Sequence, residues 1–150
     1  YTIVPKEIVF TASNGQELSL HDMWNRRQST KFNGTPYIIQ YAAARVFSEE
    51  GMKECMENIS YYMENARVIA DTLRKKNIPF TGGVNSPYIW FKCPDGMESW
   101  ELFDYLLEKI QVVGTPGAGF GVNGKNYFRL TSFGIHEKTK EAMERFNQLF

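Results

Sequence analysis

The run from Ser48 to Lys76 restricts most strongly what this chain can become. Met52, Met56, Ile59, Met63, Ala66, Ala70 and Leu73 recur there at alternating spacings of four and three, while Lys53, Glu54, Glu57, Arg67, Asp71 and Arg74 fall on other faces. That period belongs to an amphipathic helix with one buried side. Ser48 is placed to cap it, and Glu49 and Glu50 suit the positive end of the helix dipole. A coiled coil would accept the same spacing, but the pattern lasts only about three heptads. The strand-like text that follows needs covering, so the helix is expected to pack on a sheet.

Downstream, strands and helices interleave. Strands are expected at Pro79 to Gly82, at "YIWFK" (Tyr88 to Lys92) and at "YFRLTSF" (Tyr127 to Phe133), which are rich in β-branched and aromatic residues. A helix is expected over Ser99 to Lys109 with Trp100, Phe103, Leu106, Leu107 and Ile110 on its apolar side. A final helix should bury Ala142, Met143, Phe146, Leu149 and Phe150. Upstream, Tyr1 to Val4 reads as a strand stopped by Pro5 and "TASNGQE" as a turn. Two helices follow, Leu18 to Thr30 and Pro36 to Phe47, separated by "KFNGTP", where Asn-Gly and Thr-Pro both interrupt a helix. The interleaving makes the fold class α+β or α/β, with helices packed on a small sheet.

With 150 residues the chain can build one core, with an appendage at most. Seventeen basic residues balance seventeen acidic ones, which leaves no global field to attract nucleic acid or an anionic membrane. No apolar run is long enough to cross a bilayer. Cys55, Cys93, His21 and His136 share no metal-ligand spacing, so no metal site is expected, and neither histidine has a recognisable partner. Arg26, Arg27 and Lys31 cluster near Trp24 and Phe32. Three charges in a neutral chain are thin support for a nucleic-acid patch, a helix surface at a subunit interface explains them as well, and no nucleic-acid or membrane partner is expected.

Two features near the C-terminus compete for attention. Gly119, Gly121 and Gly124 spell G-x-G-x-x-G, but the text that follows is a strand, and a phosphate site of that kind needs a helix N-terminus. The glycines read better as a tight, irregular connection. Arg129 is different: strand alternation sets it on one face with Tyr127, Thr131 and Phe133, opposite Phe128, Leu130 and Ser132. A guanidinium in such company needs an anion, either the carboxylate of an amino or keto acid or an internal acidic partner. Asn33, in the helix-breaking bend, can aim its amide at a ligand or merely shape the turn. Lys31 and Lys125 sit in contexts that do not argue for a tuned, nucleophilic amine. No complete reaction centre is visible.

The stretches "WNRRQSTKFNGTPYIIQ", "GGVNSPYIWFKCPDGMESWELFDYLLEK" and "VVGTPGAGFGVNGKNYFRLTSFG" closely resemble the C-terminal part of the diaminopimelate aminotransferases, pyridoxal-phosphate enzymes of fold type I. The resemblance implies a small C-terminal α+β domain over residues 48–150. Residues 1–47 would be the trailing strand and helices of the large α/β cofactor domain together with a dimer-interface segment. It implies that Arg129 grips the substrate α-carboxylate and that Asn33 contributes to the substrate and pyridoxal 5'-phosphate site, across the interface of a homodimer. The implied reaction passes an amino group between LL-2,6-diaminopimelate and 2-oxoglutarate, yielding glutamate, in cytoplasmic lysine biosynthesis. The family's Schiff-base lysine, phosphate-binding residues and pyridine-pairing aspartate match nothing here. No catalytic residue is therefore expected in this chain, which reads as a piece of a longer enzyme, inactive alone.

Overall fold

A computed structural model describes residues 2–150. The chain forms two compact units, Tyr1–Met52 and Lys53–Phe150.

The first unit opens with a hairpin of β1 (Val9–Thr11) and β2 (Glu17–Ser19). Its turn is closed by Ala12 N donating to Gln16 O at 2.9 Å, with Gly15 at φ +81°. Ser19 caps α1 (Leu20–Lys31) by accepting from Asp22 N. The helix ends where Phe32 N and Asn33 N both donate to Gln28 O at 3.0 Å and Asn33 turns left-handed, φ 65°. After Pro36, α2 (Tyr37–Ala44) runs into a 3-10 turn at Arg45–Phe47. Neither α1 nor α2 buries a residue, and Tyr37, Ile38, Tyr41 and Phe47 are all more than two-thirds exposed. The expected strand at Tyr1 to Val4 is not formed over Thr2 to Val4, and Tyr1 lies outside the described residues. A strand exists only where it finds a partner, and the pairing in this unit is made by the residues flanking the "TASNG" turn.

Ser48 Oγ accepts from Gly51 N at 3.1 Å and starts α3 (Glu49–Lys75), which continues into the second unit. There a sheet of order β3-β4-β6-β5 is antiparallel throughout. Its strands are β3 (Phe80–Gly82), β4 (Tyr88–Lys92), β5 (Thr115–Pro116) and β6 (Tyr127–Thr131), with α4 (Ser99–Ile110) between β4 and β5 and α5 (His136–Leu149) after β6. Period-two alternation sends Ile89 and Phe91 of β4 and Phe128 and Leu130 of β6 into the core. There they meet Ala66, Ile69 and Leu73 of α3, Leu102 and Leu106 of α4, and Met143 and Phe146 of α5. Phe91, Phe128 and Phe146 pack as tilted and edge-on rings, each fully buried.

Two of the expected apolar faces need correction. On α4 the buried row is Ser99, Leu102, Leu106 and Ile110, while Trp100 is 59% and Leu107 42% exposed. Leu106 and Ile110 of the expected side are buried and Phe103 is half-buried, so the correction is confined to Trp100 and Leu107, each one residue, about 100°, past the buried Ser99 and Leu106. Trp100 instead rests edge-on against Phe103, centroids 5.7 Å apart. On α3 the stripe is buried from Ala66 onward, whereas Met52, Met56 and Ile59 are exposed. The period was right, but the sheet covers only the C-terminal half of the helix.

Candidate functional site

The face of the sheet turned away from the core carries Tyr88 and Trp90 from β4 and Tyr127 and Arg129 from β6, with Trp90 directly opposite Arg129 in the register. The Arg129 guanidinium carbon lies 4.7 Å from the centroid of the Tyr88 ring and 4.7 Å from that of Phe120. Trp90 continues the array, edge-on to Phe120 at 5.6 Å and stacked on Tyr127 at 5.7 Å with 14° between planes. Two ring faces attract the cation by about 0.5–2 kcal/mol each, but they satisfy none of its N–H donors.

That leaves the arginine chemically incomplete. Among the described residues it takes part in no ion pair, and its Nε is buried without a hydrogen-bond partner. The internal ion pair left open by the sequence is therefore not made. A buried, unpaired guanidinium N–H is costly, and the partner that suits its planar fork is a carboxylate approaching in plane.

Phe120 reaches the arginine because the glycine-rich connection is folded tightly on itself as two 3-10 turns, Gly117–Phe120 and Val122–Gly124. The backbones of Gly117 and Gly124 touch. A Cβ on Gly117 would run into the carbonyl oxygens of Gly124 and Tyr127 and the Trp90 ring, and one on Gly124 would strike Gly117. Ser99, 1% exposed, anchors the loop by accepting from Ala118 N at 3.2 Å. The connection leads into β6 rather than a helix, so the G-x-G-x-x-G match has no phosphate cradle behind it.

Asn33 lies in the first unit, exposed at the left-handed turn after α1, and Arg129 lies in the second. Arg26, Arg27 and Lys31 are exposed on α1. Lys125 Nζ is 2.6 Å from Glu98 Oε1, and that hydrogen-bonded carboxylate raises the ammonium pKa, the reverse of what an amine nucleophile needs. Burial pushes the Cys93 thiol up to about 11. No group of His, Cys, Asp and Glu among the described residues is arranged to hold a metal.

The histidines depart from expectation. His21 Nδ1 is 3.3 Å from Asp22 Oδ1 on the surface. His136 is held on both sides: its backbone N donates to Tyr61 Oη at 2.9 Å, and its Nδ1 lies 2.6 Å from Asn65 Oδ1. Asn65 is fully buried, and its Nδ2 donates to Ser132 O at 3.0 Å and Gly134 O at 2.8 Å. With both amide hydrogens committed, Oδ1 must accept, which makes His136 Nδ1 the donor. Asn65 gave no signal in sequence, being one polar letter beside the apolar stripe. Phe120 had a faint one, a lone aromatic set among glycines.

The model of the family "Aminotransferase class I and II" matches residues 23–146, and the chain belongs to that family. Proteins described as LL-diaminopimelate aminotransferase match almost all of it. The one from Azobacteroides pseudotrichonymphae is 54% identical over 149 residues, 99% of this chain and 37% of its own length. The one from Methanosphaera stadtmanae is 50% identical, with 99% of this chain and 36% of its length covered. The solved L,L-diaminopimelate aminotransferase of Chlamydomonas reinhardtii superposes with a TM-score of 0.81 at 36% identity, covering 97% of this chain and 35% of that one. The chain thus spans a little over a third of the length of these relatives.

Proposed function

We propose that Arg129 binds the α-carboxylate of amino-acid and 2-oxo-acid substrates in a pyridoxal-phosphate-dependent transamination, with LL-2,6-diaminopimelate and 2-oxoglutarate as the exchanging pair. The observation that carries this reading is a guanidinium held against two aromatic rings, with its Nε buried and no acidic side chain among the described residues paired to it. The clamp alone would accept any α-amino acid, and the choice of diaminopimelate follows the likeness to the named relatives.

Pyridoxal phosphate, when bound, supplies the electron sink that makes amino-group exchange possible. This chain's residues do the holding. Arg129 orients the carboxylate so that the substrate is fixed in one pose, which lowers the barrier through positioning. Tyr88 and Phe120 keep water from the faces of the guanidinium and strengthen its grip. Asn33 is exposed, and its side-chain amide makes no hydrogen bond among the described residues, so it fits a contact to cofactor or substrate. Lys125 is occupied by Glu98. The lysine that bonds the cofactor is placed outside this sequence, and the chain alone is expected not to turn over. The exposed Tyr37, Ile38, Tyr41 and Phe47 of the first unit suit a surface covered in a cytoplasmic homodimer.

The test is Arg129→Lys in the enzyme assembled with this sequence. Lysine keeps the charge but loses the bidentate fork and the stacking. kcat/KM is expected to fall about 10- to 100-fold for LL-2,6-diaminopimelate and for 2-oxoglutarate alike, the worth of charged hydrogen bonds. Unchanged turnover of either substrate contradicts the clamp. Equal turnover of an unrelated amino acid contradicts the assignment of diaminopimelate.

A further inference from the structure

We infer that Asn65 is a positioning residue that sets where the Arg129 guanidinium stands, acting through Phe133 and Tyr88. This rests on reading Arg129 as the carboxylate clamp. Among the described residues the guanidinium has no directional anchor of its own, because its Nε is unpaired and ring faces hold a cation without fixing its azimuth. Its position is therefore inherited from β6 and from the ring of Tyr88.

Those two are joined at the residues after β6. Asn65, fully buried on α3, donates to the carbonyls of Ser132 at 3.0 Å and Gly134 at 2.8 Å, one on each side of Phe133. The Phe133 backbone is thereby pinned to the helix. Its ring stands edge-on to Tyr88, centroids 5.7 Å apart at 81°, and edge-on to Tyr62 of α3 at 5.0 Å and 78°. Tyr88 in turn lies under the guanidinium at 4.7 Å. His136 Nδ1 lies 2.6 Å from Asn65 Oδ1 and completes the amide's set of partners. Every strong hydrogen-bonding direction of the Asn65 amide NH2 is used, so no other residue type reproduces the set.

The test reads the Nε–H resonance of Arg129, which the Tyr88 and Phe120 rings displace by their ring currents, and the affinity of the enzyme assembled with this sequence for 2-oxoglutarate by titration. In Asn65→Ala the resonance should move toward the position of an arginine free of rings, and 2-oxoglutarate affinity should fall about tenfold, within the coupling known for contacting residues. Phe133→Leu leaves the Asn65 hydrogen bonds in place, since they go to backbone, and should reproduce both changes. The Asn65→Ala effect on affinity should vanish in an Arg129→Gln background. A folded Asn65→Ala chain that melts earlier but keeps the resonance and the affinity overturns the inference. If Asn65→Ala does not fold, Phe133→Leu decides by the same two readings. If Arg129→Gln leaves 2-oxoglutarate affinity intact, the clamp reading fails, while the resonance shift still reports on Asn65.

Discussion

Alanine placed at each glycine of the Gly117 to Gly124 connection should give three different outcomes, and the pattern separates a close-packed loop from a phosphate cradle. At Gly124 a Cβ would collide with the Gly117 backbone, and at Gly117 with two carbonyl oxygens and the Trp90 ring. Neither neighbour is a flexible side-chain end, so relief requires backbone movement, with an expected cost of about 2 kcal/mol, in the range for overpacking. At roughly 2–4 °C per kcal/mol for a chain of this size, Tm should drop by roughly 4–8 °C. Gly121 has open space but stands at φ 119°, ψ 174°, a region that only glycine visits readily, so alanine there should cost about 1–3 kcal/mol through strain alone. Gly119 has nothing within 4 Å of its would-be Cβ and no positive φ, so Gly119→Ala should be neutral or stabilising by about 0.4–1 kcal/mol. Thermal and urea unfolding of the four variants measure the series. A Gly119→Ala chain that loses as much stability as Gly124→Ala, or a neutral Gly124→Ala, would refute the packing argument. Binding of inorganic phosphate that is lost in Gly119→Ala would restore the motif.

Leu102→Ala removes a fully buried side chain and should cost about 2–5 kcal/mol, whereas Trp100→Ala, at a mostly exposed site, should cost under about 1 kcal/mol; equal losses would mean the face of α4 has been misplaced. Cys93, with its pKa pushed from 9.0 up to about 11 by burial, should hold about one thiolate per thousand molecules at pH 8, roughly a hundredfold below an ordinary thiol. Disulfide-exchange labelling should therefore reach it only on unfolding, and fast labelling of native Cys93 would contradict its burial. The folded state favours the protonated thiol, so the stability this confers is whole below about pH 9 and is lost as pH rises through about 11. A stability curve flat across that window counts against the shift.

Much of the fold was legible because it rests on periodicity. The α3 stripe, the alternation in β4 and β6 and the Ser48 cap all follow from local spacing, and each is seen. What local spacing cannot supply is which tertiary surface arrives. Nothing in the run from Met52 to Ile59 says that its apolar face stays uncovered, or that Leu102 rather than Trp100 turns inward. The site divides in the same way. Arg129 was visible as a lone cation in an aromatic strand, since alternation alone sets its neighbours. Phe120 reaches it through a folded loop, and Asn65 acts across 67 residues of sequence to Ser132, so only the tertiary structure reveals either one.

The most direct measurement is a titration of the enzyme assembled with this sequence with 2-oxoglutarate, followed at the arginine Nε–H resonances. The Arg129 resonance should shift saturably, because a carboxylate meets a guanidinium that is shielded by two rings and unpaired among the described residues, and Arg129→Gln should abolish the binding. An unmoved Arg129 resonance, with shifts confined to the exposed Arg26 and Arg27, would contradict the assignment of Arg129 as the carboxylate clamp.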